Sequence, residues 1–294
     1  MKKTSLNKIK VIAVVGPTAS GKTSYSINLA KKINGEIISA DSRLVYKELN
    51  IGTAKPTIEE MQNIPHYMID IVEPTFDYSA GLFKNQAKRI INNISSRGKI
   101  PIIVGGTGLY IDILLKGFDL PEIKPDRKIR DKFGKLTSEE LYEILLSKDM
   151  DSAQLIGQND RKKLIRALEI TFLTGKTLNQ VRGKSNSEYD IEWIGRNFER
   201  NILYERINKR VDSMIEHGLI EETKALLNKY GLAYNIINTI GYREIAKYLD
   251  GTLKLDESIE LLKKNTRNYA KRQLTWFRKN TEIKWNIYPD KLKK

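Results

Sequence analysis

Gly16, Pro17, Thr18, Ala19, Ser20, Gly21, Lys22 and Thr23 spell G-x-x-x-x-G-K-[ST], a spacing suited to holding a polyphosphate. Backbone N–H groups in such a turn converge on an anion, with the N-terminus of the next helix behind them. Lys22 adds a point charge, and the Thr23 hydroxyl can hold Mg²⁺. The pattern leaves open which phosphate compound is held and what becomes of it. Asp41 follows Gly21 by 20 residues. It reads either as a general base beside a bound electrophile or as a helix cap or Mg²⁺ contact. Val104-Gly105-Gly106-Thr107-Gly108 ends an apolar run without the aspartate that many phosphate-loop NTPases place there for Mg²⁺. Its glycines admit close backbone approach, and Thr107 offers either a hydroxyl to a ligand or a helix cap. Arg206 and Arg210, at i and i+4, share a helix face. They can clamp a diphosphate or an RNA backbone, or simply face solvent. His66, beside a strand, reads as a hydrogen-bonded structural residue.

To act together these groups need a parallel sheet. Apolar runs at 11–15, 36–39 and 100–104 read as buried strands, with a further short strand at 69–72 and later ones at 191–198 and 283–287. Helices alternate with the first strands: one from the loop to about 33 ended by Gly35, one after Ser79 stopped by Gly98, and one over 109–115. Strands alternating with helices imply a parallel sheet covered on both faces, with ligands at the C-terminal strand edge. From 118 to 190 the strand pattern disappears. Pro121 and Pro125 mark a linker. Helices at 126–133, 138–146 and 160–173 follow, the last ended by Gly175, and 183–188 is polar and loop-like. Helices over 203–216, 219–229, 239–249 and 255–279 complete the chain. The domains expected are therefore 1–117 (first part of an α/β core), 118–190 (helical insertion) and 191–294 (core completion and basic helices).

The 294 residues are 40% hydrophobic and 30% charged, with a net charge of +15 and no cysteine. No apolar run reaches the ~20 residues needed to span a bilayer, and residues 1–10 read as a solvated basic tail. Disulfides and thiolate metal sites are excluded; a reducing cytoplasm and no membrane partner are expected. The charge points to a polyanion such as nucleic acid. Between 261 and 281 stand Lys263, Lys264, Arg267, Lys271, Arg272, Arg278 and Lys279 with no acidic residue, unlike the mixed signs of an ordinary solvated face. Aromatics among basic residues (Tyr242 with Arg243; Tyr269, Trp276 and Phe277) can stack unpaired bases, although each alone reads equally as core.

Seven blocks together resemble the tRNA dimethylallyltransferase (IPP transferase) family: GPTASGKT at 16–23, DSRLVY at 41–46, IGTAKP at 51–56, VGGTGLY at 104–110, ND with LIRALE at 159–169, IGYRE at 240–244 and KRQLTWFR at 271–278. They run in order over about 11–279. The resemblance implies a fold like that of nucleotide kinases, with a helical insertion gripping the anticodon stem-loop of tRNA. It implies transfer of a dimethylallyl group from dimethylallyl diphosphate to N6 of the adenosine just 3′ of the anticodon. By this likeness Asp41 is the base, the loop with Lys22 and Mg²⁺ on Thr23 holds the diphosphate, and Arg206 or Arg210 assists it. Thr107 meets the target nucleotide. Asp41, Ser42, Arg43 and Leu44, Arg130, Lys162, Lys163, Leu164, Ile165 and Arg166 match tRNA-contacting stretches. So do Asn238, Thr239, Ile240, Gly241, Tyr242 and Arg243, and Lys271, Arg272, Gln273, Leu274, Thr275, Trp276, Phe277 and Arg278. Leu44 stands where the family often has Gln, Tyr67 where a second His is common, and Lys163 where Arg is frequent. The C-terminal zinc finger of eukaryotic members is absent. A monomer is expected. A small-molecule kinase using ATP at the same loop and a non-catalytic tRNA-binding module are the competing readings.

Overall fold

The structure, a computed structural model, describes residues 8–117, 123, 126–181 and 187–288. Six strands form one parallel sheet: β1 (Ile9–Val15), β2 (Gly35–Ser39), β3 (His66–Tyr67), β4 (Ile100–Gly105), β5 (Tyr189–Phe198) and β6 (Lys284–Tyr288), in the order β3-β2-β4-β1-β5-β6. Four helices accompany the first strands: α1 (Lys22–Ile33), α2 (Ile58–Met61), α3 (Ala80–Ser96) and α4 (Gly108–Leu115). Successive strand side chains point to opposite faces, and both faces of β1 are apolar. Val11, Ala13 and Val15 join the core under α3 and α4, while Ile12 and Val14 join the core under α1. The chain moves outward from β1 to β2, back to β4, and then to β5 on the far side of β1. All four strand ends therefore share one edge, at the point where strand order reverses.

Contacts divide the chain into two units, Met1–Leu115 with Ser187–Lys294, and Lys116–Asn186. The second unit is helical: α5 (Arg127–Gly134), α6 (Ser138–Lys148), α7 (Met150–Ile156), α8 (Arg161–Thr174) and α9 (Leu178–Val181). Its local sequence explains its breaks. Asp126, Thr137, Asp149 and Asp160 each cap the next helix by accepting a backbone N–H, and Gly175 ends α8 in the left-handed conformation. Phe133, Leu141, Leu145, Leu164 and Leu168 form its core.

The first unit ends in α10 (Arg200–Glu216), α11 (Leu219–Tyr230), α12 (Tyr234–Ile237), α13 (Tyr242–Leu249) and α14 (Leu255–Phe277). These pack with Val45, Tyr46 and Leu49 into a separate core. Glu222 ties that core to the segment after β2. Its carboxylate accepts Ile51 N–H (2.9 Å), Gly52 N–H (3.2 Å) and the Tyr242 hydroxyl (2.6 Å). Gly52 has no alternative, because a Cβ there would lie 2.6 Å from the Tyr242 ring.

Several expectations need correction. Residues 69–72 are not a strand: Met68 and Asp70 have positive φ, which breaks extension, and only Val72 bridges to Tyr46. The strand at that edge is β3. Asn34, not Gly35, ends α1 in the left-handed conformation; Gly35 opens β2, where a Cβ would meet Ile102 Cδ1 at 2.7 Å. Tyr189 and Asp190, assigned to the insertion, pair with Ile9 and Lys10 of β1. Helix α10 starts three residues before 203, and α13 begins at Tyr242 after the separate short helix α12. The sequence pattern also missed α2, α7 and α9. The expected tail over residues 1–10 is cut short, because Ile9 and Lys10 already belong to β1 and pair with β5; its residues 1–7, the linker prolines Pro121 and Pro125, and residues 183–186 lie outside the described residues.

Candidate active site at the phosphate loop

The loop after β1 bends as its glycines allow. Gly16 has φ 148° and Gly21 φ 75°. A Cβ on Gly16 would fall 2.1 Å from the Arg196 carbonyl oxygen on β5, so only glycine lets the loop pass that close. Lys22 curls back and donates to the Pro17 carbonyl (2.6 Å). Arg206, from α10, donates through Nε to the Ala19 carbonyl (3.0 Å), and its guanidinium stacks 4.4 Å over Phe198. Arg210 lies one turn further along α10. Burial, then the charge of Arg210, pulls the Lys22 pKa down to about 7, against the opposing charge of Asp41. Burial and Arg206 act in the same direction on Arg210, with Glu60 opposing. Three cations thus crowd one loop, an arrangement that a polyanion would relieve.

The ends of β2 and β4 close the other side. Ala40 N–H donates to the Val104 carbonyl (2.7 Å), and Thr107 N–H donates to the Ala40 carbonyl (3.2 Å). The Thr107 hydroxyl accepts Ser42 N–H (3.0 Å). Asp41 accepts Arg43 N–H (2.8 Å) through one carboxylate oxygen. Tyr269, on α14, lies near Thr107 and Asp41; burial and then the charge of Asp41 push its pKa up. Asp41, Thr107 and Lys22 are therefore brought to one edge, together with Arg206 and Arg210. His66 is structural as expected: Nδ1 bonds the Ile64 carbonyl (2.7 Å), and burial lowers its pKa.

Other sequence candidates divide by where they point. Lys162, Lys163, Lys271, Arg272, Thr275, Trp276 and Arg278 are exposed, and Arg272 lies 5.9 Å over the Tyr269 ring. Asn238, whose amide bonds the Tyr234 carbonyl, Ile240 and Leu44 are partly buried. Leu164 is buried in the core of the helical unit and Ile165 packs partly buried against it. Thr239, Gly241, Tyr242 and Phe277 are likewise buried, and Leu274 packs beside Ala270 and Phe198. Arg130 and Arg166 both bind the buried Glu169, and Arg243 binds the buried Glu244, so carboxylates of this chain already hold their guanidinium groups. Of the basic run, Lys263 pairs with Asp212 and Glu260, and Arg267 donates to Asn208. These two face their neighbours in the fold.

Sequence reasoning also missed a residue. Arg196, near the end of β5, stacks 4.5 Å over Tyr25 of α1 and reaches the Gly21 turn. Nothing in its local sequence signals this, because it is strand pairing with β1 that brings it there.

The fold and its site define the class, an α/β protein whose parallel sheet carries a glycine-rich, cation-crowded loop and a carboxylate at its C-terminal edge. The IPP transferase model matches residues 44–280, and the chain belongs to that family. It is 45% identical to the tRNA dimethylallyltransferase of Caldanaerobacter subterraneus subsp. tengcongensis over 96% of this chain and 93% of that one. It is 48% identical to the tRNA dimethylallyltransferase of Carboxydothermus hydrogenoformans, over 94% and 91%. Among solved structures, the full-length tRNA isopentenylpyrophosphate transferase of Bacillus halodurans superposes with TM-score 0.73 at 43% identity, covering 95% of this chain and 90% of that one. A eukaryotic dimethylallyltransferase described as acting on tRNA gives TM-score 0.83 at 32% identity, over 96% and 74%.

Proposed function

We propose that the protein transfers the dimethylallyl group of dimethylallyl diphosphate to N6 of the adenosine just 3′ of the anticodon in tRNA, releasing diphosphate. The observation that carries this reading is the placing of Asp41 beside the cationic loop, with β4 ending in Gly-Gly-Thr rather than in an acid. The adenine must leave the stack to reach an electrophile. As the N6–carbon bond forms and the carbon–oxygen bond breaks, Asp41 takes the N6 proton, which offsets the poor nucleophilicity of a delocalised lone pair. Loop N–H groups, Lys22 and an arginine from α10 meet the charge growing on the departing oxygen; one such contact is typically worth ~3 kcal/mol of barrier. Thr107, already bonded to Ser42, borders the acceptor.

No group of three or more histidine or acidic side chains able to hold a metal exists among the described residues. A single hydroxyl at Thr23 fits an Mg²⁺ held mostly by phosphate oxygens and water. Bound there, Mg²⁺ would neutralise diphosphate charge. In the sheet unit Lys271, Arg272, Trp276 and Arg278, and in the helical unit Lys162 and Lys163, are exposed groups of the kinds that hold RNA. No helix among the described residues is long and apolar enough to cross a membrane; the reading is of a monomer acting on tRNA in the cytoplasm, with a nucleotide-kinase-like core.

The test incubates the protein with labelled dimethylallyl diphosphate, Mg²⁺ and unmodified tRNA. Label should enter tRNA at the adenosine 3′ of the anticodon. ATP hydrolysis with no label in RNA would assign a kinase instead, and tRNA binding with neither reaction would leave a binding module.

A further inference from the structure

One side chain of α14 joins the two loops that frame the site. Gln273 is 5% exposed. Its Oε1 accepts Thr18 N–H (2.8 Å) in the phosphate loop, and its Nε2 donates to the Gly106 carbonyl (3.1 Å) in the turn after β4. Gly106 makes room for it: a Cβ there would fall 2.1 Å from Nε2. Three residues along the helix, Trp276 occupies the space that a Cβ on Gly108 would need, at 2.3 Å, and donates to Asp112 (2.9 Å). On the other side of the same turns Lys271, Arg272 and Thr275 are exposed and line a groove with Trp276.

We propose that Gln273 is a positioning residue, a strut that sets the spacing between the phosphate loop and the Gly-Gly-Thr turn, and so between the departing diphosphate and the acceptor base. This rests on the transferase reading above. A side-chain amide suits the task because it accepts and donates at once; a carboxylate only accepts, and a thioether does neither usefully. The Gln273 amide is enclosed, so losing it leaves Thr18 N–H and the Gly106 carbonyl without their partner. The Thr18 N–H is turned to Gln273, so the anion is left to the other donors of the loop. RNA seated on the basic side of α14 rests on the helix that also fixes both loops. A misplacement of about 1 Å between reacting groups is enough to cost on the order of 10²-fold in rate.

Amide hydrogen exchange on the ligand-free full-length protein, combined with steady-state kinetics, tests the strut. In Gln273→Met, exchange at Thr18 should rise about tenfold, while β1 and α14 amides keep their rates. In the same variant kcat should fall by roughly 10–100-fold, with tRNA affinity retained. Gln273→Glu should keep Thr18 protected, because its carboxylate still accepts, yet remain slow, because no proton faces the Gly106 carbonyl. That variant also serves if Gln273→Met fails to fold. Unchanged Thr18 exchange and unchanged kcat in Gln273→Met would overturn the proposal. So would equal acceleration across β1 and α14, which would make Gln273 a general fold contact. If the unaltered protein puts no label into tRNA, the transferase reading falls alone, and Thr18 exchange still decides whether Gln273 holds the loop.

Discussion

A lysine crowded by Arg210 holds its proton loosely, and in Lys22 this has two measurable consequences. Burial and Arg210 lower its pKa from 10.5 to about 7 in the folded protein. Between those values the unfolded chain binds the extra proton, so the cost that Lys22 imposes on folding is complete below about pH 7 and shrinks as pH rises through this window. Lys22→Met should therefore raise the thermal midpoint of the ligand-free protein at pH 7, by about 1 kcal/mol or more in stability, while abolishing transfer. A lowered midpoint would contradict the crowding. Conversely, bound diphosphate restores the charge, so pyrophosphate binding should take up a proton near pH 7 and weaken above it. Calorimetry in buffers of different ionisation enthalpy reads this directly. Asp41 makes a different kind of contribution. Its proposed role is that of base, so Asp41→Ala should cut kcat by on the order of 10²–10⁴ with tRNA affinity kept; near-normal turnover would remove it from that role.

Helix α14 shows how one element serves two surfaces. Its inward residues Ala270, Gln273 and Phe277 meet core and loops, and its outward residues Lys271 and Arg272 meet solvent. Replacing both cations with alanine should weaken tRNA binding, with little change in KM for the prenyl diphosphate. It should also lower the slope of log affinity against log salt by roughly 1–2; an unchanged slope would make the basic side an ordinary surface. The helix also marks where sequence reading stops. Strands β1, β2 and β4 are legible because buried parallel strands are continuous apolar runs, and the loop is legible because its glycine, lysine and threonine stand at a fixed spacing after an apolar run. The basic run is legible as charge. That Gln273 points to Thr18 is not, because its partners lie 255 and 167 residues away and only folding brings them together. The same limit explains Lys263, Arg130 and Arg243, whose acidic partners in the fold the sequence does not show. It also explains the strand misplaced at 69–72, where apolar residues are present but positive φ at Met68 and Asp70 forbids extension.

At the scale of the whole chain, each of the two units has its own core and its own buried carboxylate hub. In the sheet unit, Glu36 is 2% exposed and is held by Arg97 (2.7 Å), Lys99 (2.7 Å) and the Tyr67 hydroxyl (2.8 Å). The Arg97 bond, more than any other contact, draws its pKa down to about 2 against the cost of burial. In the helical unit, burial would raise Glu169, but bonds from Arg130, Arg166 and Asp126 N–H outweigh it and the pKa falls. Both groups bind fewer protons folded than unfolded. The stability they contribute is complete above about pH 4.5, the unfolded value, and drains away as pH falls towards 2 for Glu36, with Glu169 weakening in the same direction. Glu36→Gln should cost about 2–3 kcal/mol at pH 7 and flatten the acid limb of the sheet unit's stability. Glu169→Gln strands two arginines in the helical unit and should cost about 3 kcal/mol there. The hubs share no partner, so the double variant should show the sum of the two losses to within about 0.5 kcal/mol. Thermal and urea unfolding of the four proteins at pH 7 and pH 4 provides the measurement. A coupling clearly larger than that would mean that the two cores do not stand independently.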